Sequence, residues 1–194
     1  MAISLSAFHT LAHDDPNADV PSVEALQVDA EMKVDGVLDE PFWQKADIAT
    51  DFIDERTHQV APLRTVTRIA YTKRHLYVSV ECFDDKIGEI RATERREDRF
   101  FRGDDFVEVQ FDPFHDHRSK YAFFSNPLGT KLDAKSGAAP GSFNTGWSAE
   151  WDLAAKIHED RWTVEMRIPF GIMNYYRGDD QTWGLNITDR KSVV

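Results

Sequence analysis

The residues in this chain best equipped for chemistry are planar carboxylates, amides and guanidinium groups on short alternating segments, with aromatic rings between them. The clearest segment is Gly103 to Pro113, GDDFVEVQFDP. As a strand it places Val107, Val109 and Phe111 on one side and Phe106, Glu108, Gln110 and Asp112 on the other. An acid, an amide and a second acid in an evenly spaced row can bond neighbouring hydroxyls in pairs. The solvated face of an antiparallel strand has the same pattern. Arg68, Glu81 and Asn126 fall on the polar parity of their own segments or at a strand end, while Phe100, Phe101, Trp147 and Trp151 lie in or beside adjoining loops. Flat rings for the CH-rich side of a pyranose, joined to paired hydrogen-bonding groups, are the inventory of a sugar site. An Arg/Glu pair across strands is also an ordinary ladder contact worth under about 1 kcal/mol.

Other chemistries have less support. Asp84-Asp85 and Asp104-Asp105 flank one hairpin region and are the ligand type a structural Ca²⁺ takes, but their spacing matches no EF-hand loop and turn acids are the better account of them. His115 and His117 are two apart with no third His or Cys close in sequence, which suits a solvated loop. The single cysteine, Cys82, sits in an apolar alternation and reads as core. Nucleophile elbows, HExxH, phosphate loops and Cys-His arrangements are absent from the sequence, so no enzymatic activity is expected. Glu108 and Glu165 would form a glycosidase pair only if a cleft held both. Nothing marks Met166, Met173 or any His as a haem ligand.

Composition narrows the class. The net charge is -11 over 194 residues with no compensating Lys/Arg cluster, which opposes nucleic acid as a partner. No apolar run approaches the roughly 20 residues of a transmembrane helix. A hydrophobic content of 41% with thirteen Phe and five Trp supplies one two-layer core. Residues 1–22 mix Asp, Asn, Pro and Ser without periodicity and read as a disordered tail, linker or signal remnant. Residues 23–188 form the domain. The last six, DRKSVV over 189–194, break from the preceding strand and read as a non-native artefact, with the native chain continuing past Thr188.

The elements that must position these groups follow in order. LDEPFWQKA predicts one short helix, with Asp39 as N-cap and Trp43 as a buried plug. TVTRIAY and LYVSVECF form a hairpin across TKRH. A charged connection from Asp84 leads to the Glu108 strand, followed by YAFFS and its NPLG turn. Residues 135–146, rich in Gly, Ala, Ser and Pro, read as a long loop. A second hairpin ends at Pro169, and Trp183 to Ile187 is the last strand. The sum is an all-β, two-sheet antiparallel sandwich of jelly-roll or immunoglobulin-like type with one or two short helices.

Read together, VDGVLDEPFWQKA, RIAYTKRHLYVSVECFDD, DDFVEVQFDP, the aromatic strand with NPLG, RWTVEMRIPF and WGLN resemble the family 9 carbohydrate-binding modules and their DOMON-like relatives, in particular the copy at the front of large bacterial surface proteins. The similarity runs from about Val28 to Asn186. It implies a sandwich that holds a sugar at one sheet face without catalysis, on an extracellular, periplasmic or cell-surface protein associated with carbohydrate catabolism and continuing into a further C-terminal domain. Two other roles accompany the resemblance: a structural appendage of an outer-membrane protein that has lost sugar binding, and a haem-binding electron-transfer domain. By resemblance the strand glutamate is Glu108, Arg102 stands where sugar-binding members have a clamping Trp, and Phe124 or a neighbour replaces an Arg. The expected sugar-contacting set is Arg68, Glu81, Phe101, Arg102, Glu108, Gln110, Asn126, Trp147 and Trp151; no cofactor is expected, and Asp84, Asp85, Asp104 and Asp105 are the only candidates for a structural Ca²⁺.

Overall fold

Alternating apolar segments become strands wherever a partner can cover their oily side. In the computed structural model, which describes residues 2–7, 21–137, 139 and 141–192, they run in order as β1 (Ala2–Ala7), β2 (Ser22–Gln27), β3 (Ile48–Ala49), β4 (Ile53–Asp54), β5 (Gln59–Val60), β6 (Thr65–Tyr71), β7 (His75–Phe83), β8 (Phe106–Asp112), β9 (Tyr121–Ser125), β10 (Lys131–Ser136), β11 (Phe143–Asn144), β12 (Asp152–Ile157), β13 (Arg161–Pro169) and β14 (Asp180–Arg190). Helical structure among the described residues is confined to single 3-10 turns at Pro41–Gln44, Ile87–Glu89 and Phe170–Ile172.

The pairing order is β11-β10-β9-β8-β14-β1-β2-β6-β7-β13-β12, with β3 beside β6. β2 joins the two layers: it pairs antiparallel with β1 and, through Leu26 and Gln27, parallel with β6. β1 lies parallel to β14; the other pairings are antiparallel. Val107, Val109 and Phe111 of β8 share one core with Val78, Val80 and Cys82 of β7 and Val164, Met166 and Ile168 of β13. The two layers therefore pack face to face, and the intervening residues of each strand look outward.

Each outer face is partly covered. Met32, Trp43 and Ala46 pack on Ala70 and Tyr77, closing one end of the β6–β7 face. Phe101 packs with Phe106, Ala122, Phe124, Leu132 and Ala134 on the far side of the β8–β9–β10 layer. Two buried polar fasteners hold these covers. The Asp35 and Gly36 N–H groups both donate to Glu165 Oε2, at 2.9 and 2.8 Å, and Thr163 Oγ1 donates to the Gly36 carbonyl at 2.6 Å. Gly36 has a φ of +78, and a Cβ there would come within 3.0 Å of the Ala155 backbone, so the turn requires glycine. On the opposite layer, Asp104 accepts from Thr93 N, Thr93 Oγ1 and Glu94 N at 2.7–2.9 Å. Asn126 donates to the Glu94 carbonyl and to Asp104 and accepts from Leu128 and Thr130 N–H.

Several sequence expectations change. Residues 2–7 form an inner strand of the layer, with Ile3 buried, because β14 extends beyond β8 and offers them an edge; residues 8–20 of the expected tail lie outside the described residues. The expected helix shortens to one turn capped by Glu40, whose carboxylate accepts from Trp43 Nε1 at 3.1 Å, since Pro41 leaves little sequence before the chain must turn back; Trp43 is the buried plug. Residues 131–136 are a strand, with 138 and 140 of the expected loop outside the described residues. The last strand runs on through Asp189 and Arg190, paired with Val107 and Phe106.

Glu165 is fully buried, and burial raises its pKa to about 7, opposed by the two N–H donors and reinforced by Glu40 and Asp35. A raised carboxyl pKa means that the folded state favours the protonated form. This contribution is complete below the ordinary 4.5 and is lost as pH rises through about 7, up to about 3 kcal/mol. Glu165→Gln retains an oxygen for both donors, so urea unfolding at pH 8 should find it more stable than the parent and at pH 5 nearly equal; a parallel pH dependence in both proteins would contradict this. Asn126→Ala should cost about 2–4 kcal/mol and speed proteolysis within residues 91–105, read by urea titration and limited digestion.

Candidate functional site

The nine expected contact residues do not form one site. Arg68 Nη1 meets Glu81 Oε1 at 2.8 Å, and Arg161 Nε meets Glu81 Oε2 at 3.1 Å. Arg161 and Arg64 also lie 5.4 and 5.6 Å from the Phe83 ring. This ion-pair network sits on the outer face of the β6–β7–β13 layer. Glu108 and Gln110 look out from the opposite layer, with the core between. Trp151 is a core side chain whose Nε1 donates to Asp133 at 2.8 Å, and Trp147 packs on Tyr121 and Phe123. Phe101 is fully buried and Asn126 is consumed in the fastener described above. Arg102 is exposed in the loop before β8. The sequence fixes polar parity within a strand; it does not say to which layer that strand belongs.

One arrangement remains that suits a ligand. On the outer side of β8, Gln110 Nε2 donates to Glu108 Oε1 at 2.7 Å, holding the two planar groups together. Antiparallel register places Thr188 directly across from Glu108 and Asn186 directly across from Gln110 on β14, and Phe124 across from Glu108 on β9. Directly opposed residues share a face, so Glu108, Gln110, Asn186 and Thr188 form a half-buried polar patch. Beside it stands Phe100, 51% exposed, its ring edge-on to Phe106 at 5.8 Å and to Phe124 at 6.4 Å. Arg190 lies 5.5 Å from the other flank of this cluster, over the Phe106 ring. Burial raises the Glu108 pKa, offset by the Gln110 hydrogen bond and the Lys120 charge. A braced, open ring beside a carboxylate, two amides and a hydroxyl provides a stacking surface and bonding groups within one patch. Asn186 and Thr188 were missed as contact residues. The signal was the alternation of WGLNIT, but only the β8–β14 pairing makes it informative.

The candidate Ca²⁺ acids have other work. Asp104 is saturated by loop N–H groups, Asp105 accepts from the Arg91 and Ser192 N–H groups, and Asp84 takes the Lys86 N–H and the Lys191 ammonium at 2.7 Å. Asp85 is exposed. Among the described residues no three His, Cys, Asp or Glu side chains converge as metal ligands, so this set does not fit the ion. Glu108 and Glu165 face out of opposite layers and cannot act on one bond. Met166 and Met173 are core side chains, and Cys82 is buried with its thiol pKa pushed well up by burial. Among the described residues no helix is long and apolar enough to cross a membrane.

The chain superposes on a family 9 carbohydrate-binding module from Caldicellulosiruptor kristjanssonii in complex with glucose, with a TM-score of 0.60 and 14% identity over 87% of this chain and 78% of that one. A family 9 module from the same organism in complex with cellotriose gives 0.54 and 16% over 75% and 66%. A protein of Bacteroides uniformis described as carbohydrate-binding gives 0.59 and 16% over 74% and 71%. At these identities the likeness speaks for the fold. A comparison with functionally curated proteins gives no significant match. The family model for carbohydrate family 9 binding domain-like sequences matches residues 34–191, and the chain belongs to that family.

Proposed function

We propose that this domain is a non-catalytic glycan-binding module, with its ligand on the outer face of the β8–β14 strip. The observation that carries this is the pairing of an exposed, edge-braced Phe100 with the Glu108–Gln110 couple and its cross-strand neighbours Asn186 and Thr188. Phe100 stacks on a pyranose face, and Glu108 accepts from adjacent hydroxyls while Gln110 and Asn186 donate and accept. Family membership and the sugar complexes of the two C. kristjanssonii modules support the same reading. Arg102 and Phe124 depart from the clamping Trp and the Arg of the sugar-binding pattern, and Phe100 takes over the stacking role. The module holds an attached, extracellular, periplasmic or cell-surface protein against a polysaccharide.

Calorimetric titration with neutral mono- and oligosaccharides tests this. Phe100→Ala and Asn186→Ala should each weaken saturable binding about tenfold or more without loss of fold, whereas Arg68→Ala, on the opposite layer, should leave affinity unchanged. Heat lost with Arg68→Ala and kept with Phe100→Ala would reverse the assignment. Because the Glu108 pKa is raised by burial, its carboxylate becomes a neutral acid at a higher pH than an ordinary glutamate does. Affinity should therefore fall as pH is lowered, beginning above the usual carboxylate range, and Glu108→Gln should flatten that profile.

A further inference from the structure

We infer that His115 and His117 form a two-imidazole site for a borderline divalent transition ion, Cu²⁺ foremost, on the turn between β8 and β9. The site is independent of the glycan reading: it lies past the end of β8 and uses none of the residues proposed there.

Two histidines separated by one residue on a loop can point anywhere. Here both are exposed and their rings stand side by side, with centroids 5.7 Å apart and planes 32° from parallel. Two imidazoles bound to one ion through bonds of about 2.0–2.1 Å, at the bond angles of tetrahedral or square geometry, hold their ring centres about 4.5–5.3 Å apart. The pair therefore needs only a small side-chain rotation to close on an ion.

The turn is what holds the rings together. His115 and His117 have φ values of +51 and +60, a left-handed conformation that non-glycine residues adopt uncommonly, histidine more readily than most. Hydrogen bonds fix it. The His115 N–H donates to the Asp112 carbonyl at 3.1 Å, and the His117 N–H to Asp112 Oδ2 at 2.6 Å. Asp116, between the two, accepts from the Arg118 and Ser119 N–H groups at 2.8 and 2.7 Å and from the Ser119 hydroxyl at 2.9 Å, so its carboxylate closes the turn. Phe114 packs edge-on against Tyr176 with centroids 5.0 Å apart. A backbone tied at so many points has little conformational entropy left to lose when an ion binds.

Donor chemistry selects the ion. Imidazole nitrogens suit Cu²⁺, Ni²⁺ and Zn²⁺, with Cu²⁺ bound most tightly of the three, whereas Ca²⁺ and Mg²⁺ require oxygen ligands. Among the described residues no third His, Cys, Asp or Glu joins the pair, so water fills the other coordination positions and the ion remains exchangeable. Asp112 is 2% exposed and its Oδ1 is buried with no hydrogen-bond partner. That oxygen places negative potential beneath the turn, which favours a cation over it.

The test is calorimetric titration of tag-free, chelator-stripped protein with CuCl₂, NiCl₂, ZnCl₂ and CaCl₂. Saturable binding of Cu²⁺ at one ion per chain is expected, weaker for Ni²⁺ and Zn²⁺ and absent for Ca²⁺, with two nitrogen ligands in the Cu²⁺ electron paramagnetic resonance spectrum. Losing an outer partner of a ligating histidine already costs about 10–100-fold in metal affinity, so losing one of two ligands should cost at least about tenfold. His115→Asn and His117→Asn test this, asparagine being tolerated at positive φ. His58→Asn is the matched control, an exposed histidine at φ +57 on another turn, and should bind as the parent does. Thermal unfolding without metal checks that the three variants fold. No saturable heat with any of the three transition ions, binding that survives both His115→Asn and His117→Asn, or an equal loss in His58→Asn would each overturn the site. None of these outcomes bears on the glycan reading, whose variants lie elsewhere on the molecule.

Discussion

The constraint on which the molecule turns is the two-residue period of β8. This strand lies inside its layer, hydrogen-bonded to β9 on one side and β14 on the other, so it cannot slip without moving both. Val107, Val109 and Phe111 are fully buried against Phe123, Leu185 and the second layer. A shift of one residue would drive Glu108 and Gln110 into that core, at several kcal/mol for each unsatisfied polar group. The apolar side fixes the register, and the register in turn fixes which groups face outward.

Neither outer face is simply solvated. Each carries a covering segment fastened by a buried acid: Glu165 holds the Asp35-Gly36 turn and Asp104 holds residues 93–94 with the help of Asn126. A buried carboxylate is tolerated here because backbone N–H groups surround one of its oxygens, but the two sites differ in outcome. Asp104 collects enough donors to keep its pKa low against the cost of burial, whereas Glu165, with two donors and with Glu40 and Asp35 nearby, is pushed up. On the β8–β14 side a half-buried strip stays uncovered. There the polar row survives with Phe100 at its margin.

Proteins that share only 14–16% of residues with this chain superpose on its fold. The core asks only for apolar residues of suitable size at alternate positions, a condition many sequences meet. Ligand groups are subject to no such rule. In the proposed site the stacking ring is Phe100, braced by Phe106 and Phe124.

By itself the sequence determined the all-β class, both hairpins, the core parity of β8 and the burial of Trp43 and Cys82, because these follow from local alternation and from turns that neighbouring residues set. It also brought Glu108 and Gln110 into view as a pair. It could not separate Arg68 and Glu81 from them, since parity is the same on either layer, and it could not show that Asn126 and Asp104 spend their polar atoms on each other and on residues 93–94. The rings misled for the same reason: Trp147 and Trp151 lie in loop-like sequence, yet Tyr121, Phe123 and Asp133 draw them inward. Only the tertiary pairing decided which polar groups share a face, which rings stay outside and which acids are already occupied. Those outcomes depend on contacts between residues far apart in the chain, whose energies no local pattern encodes.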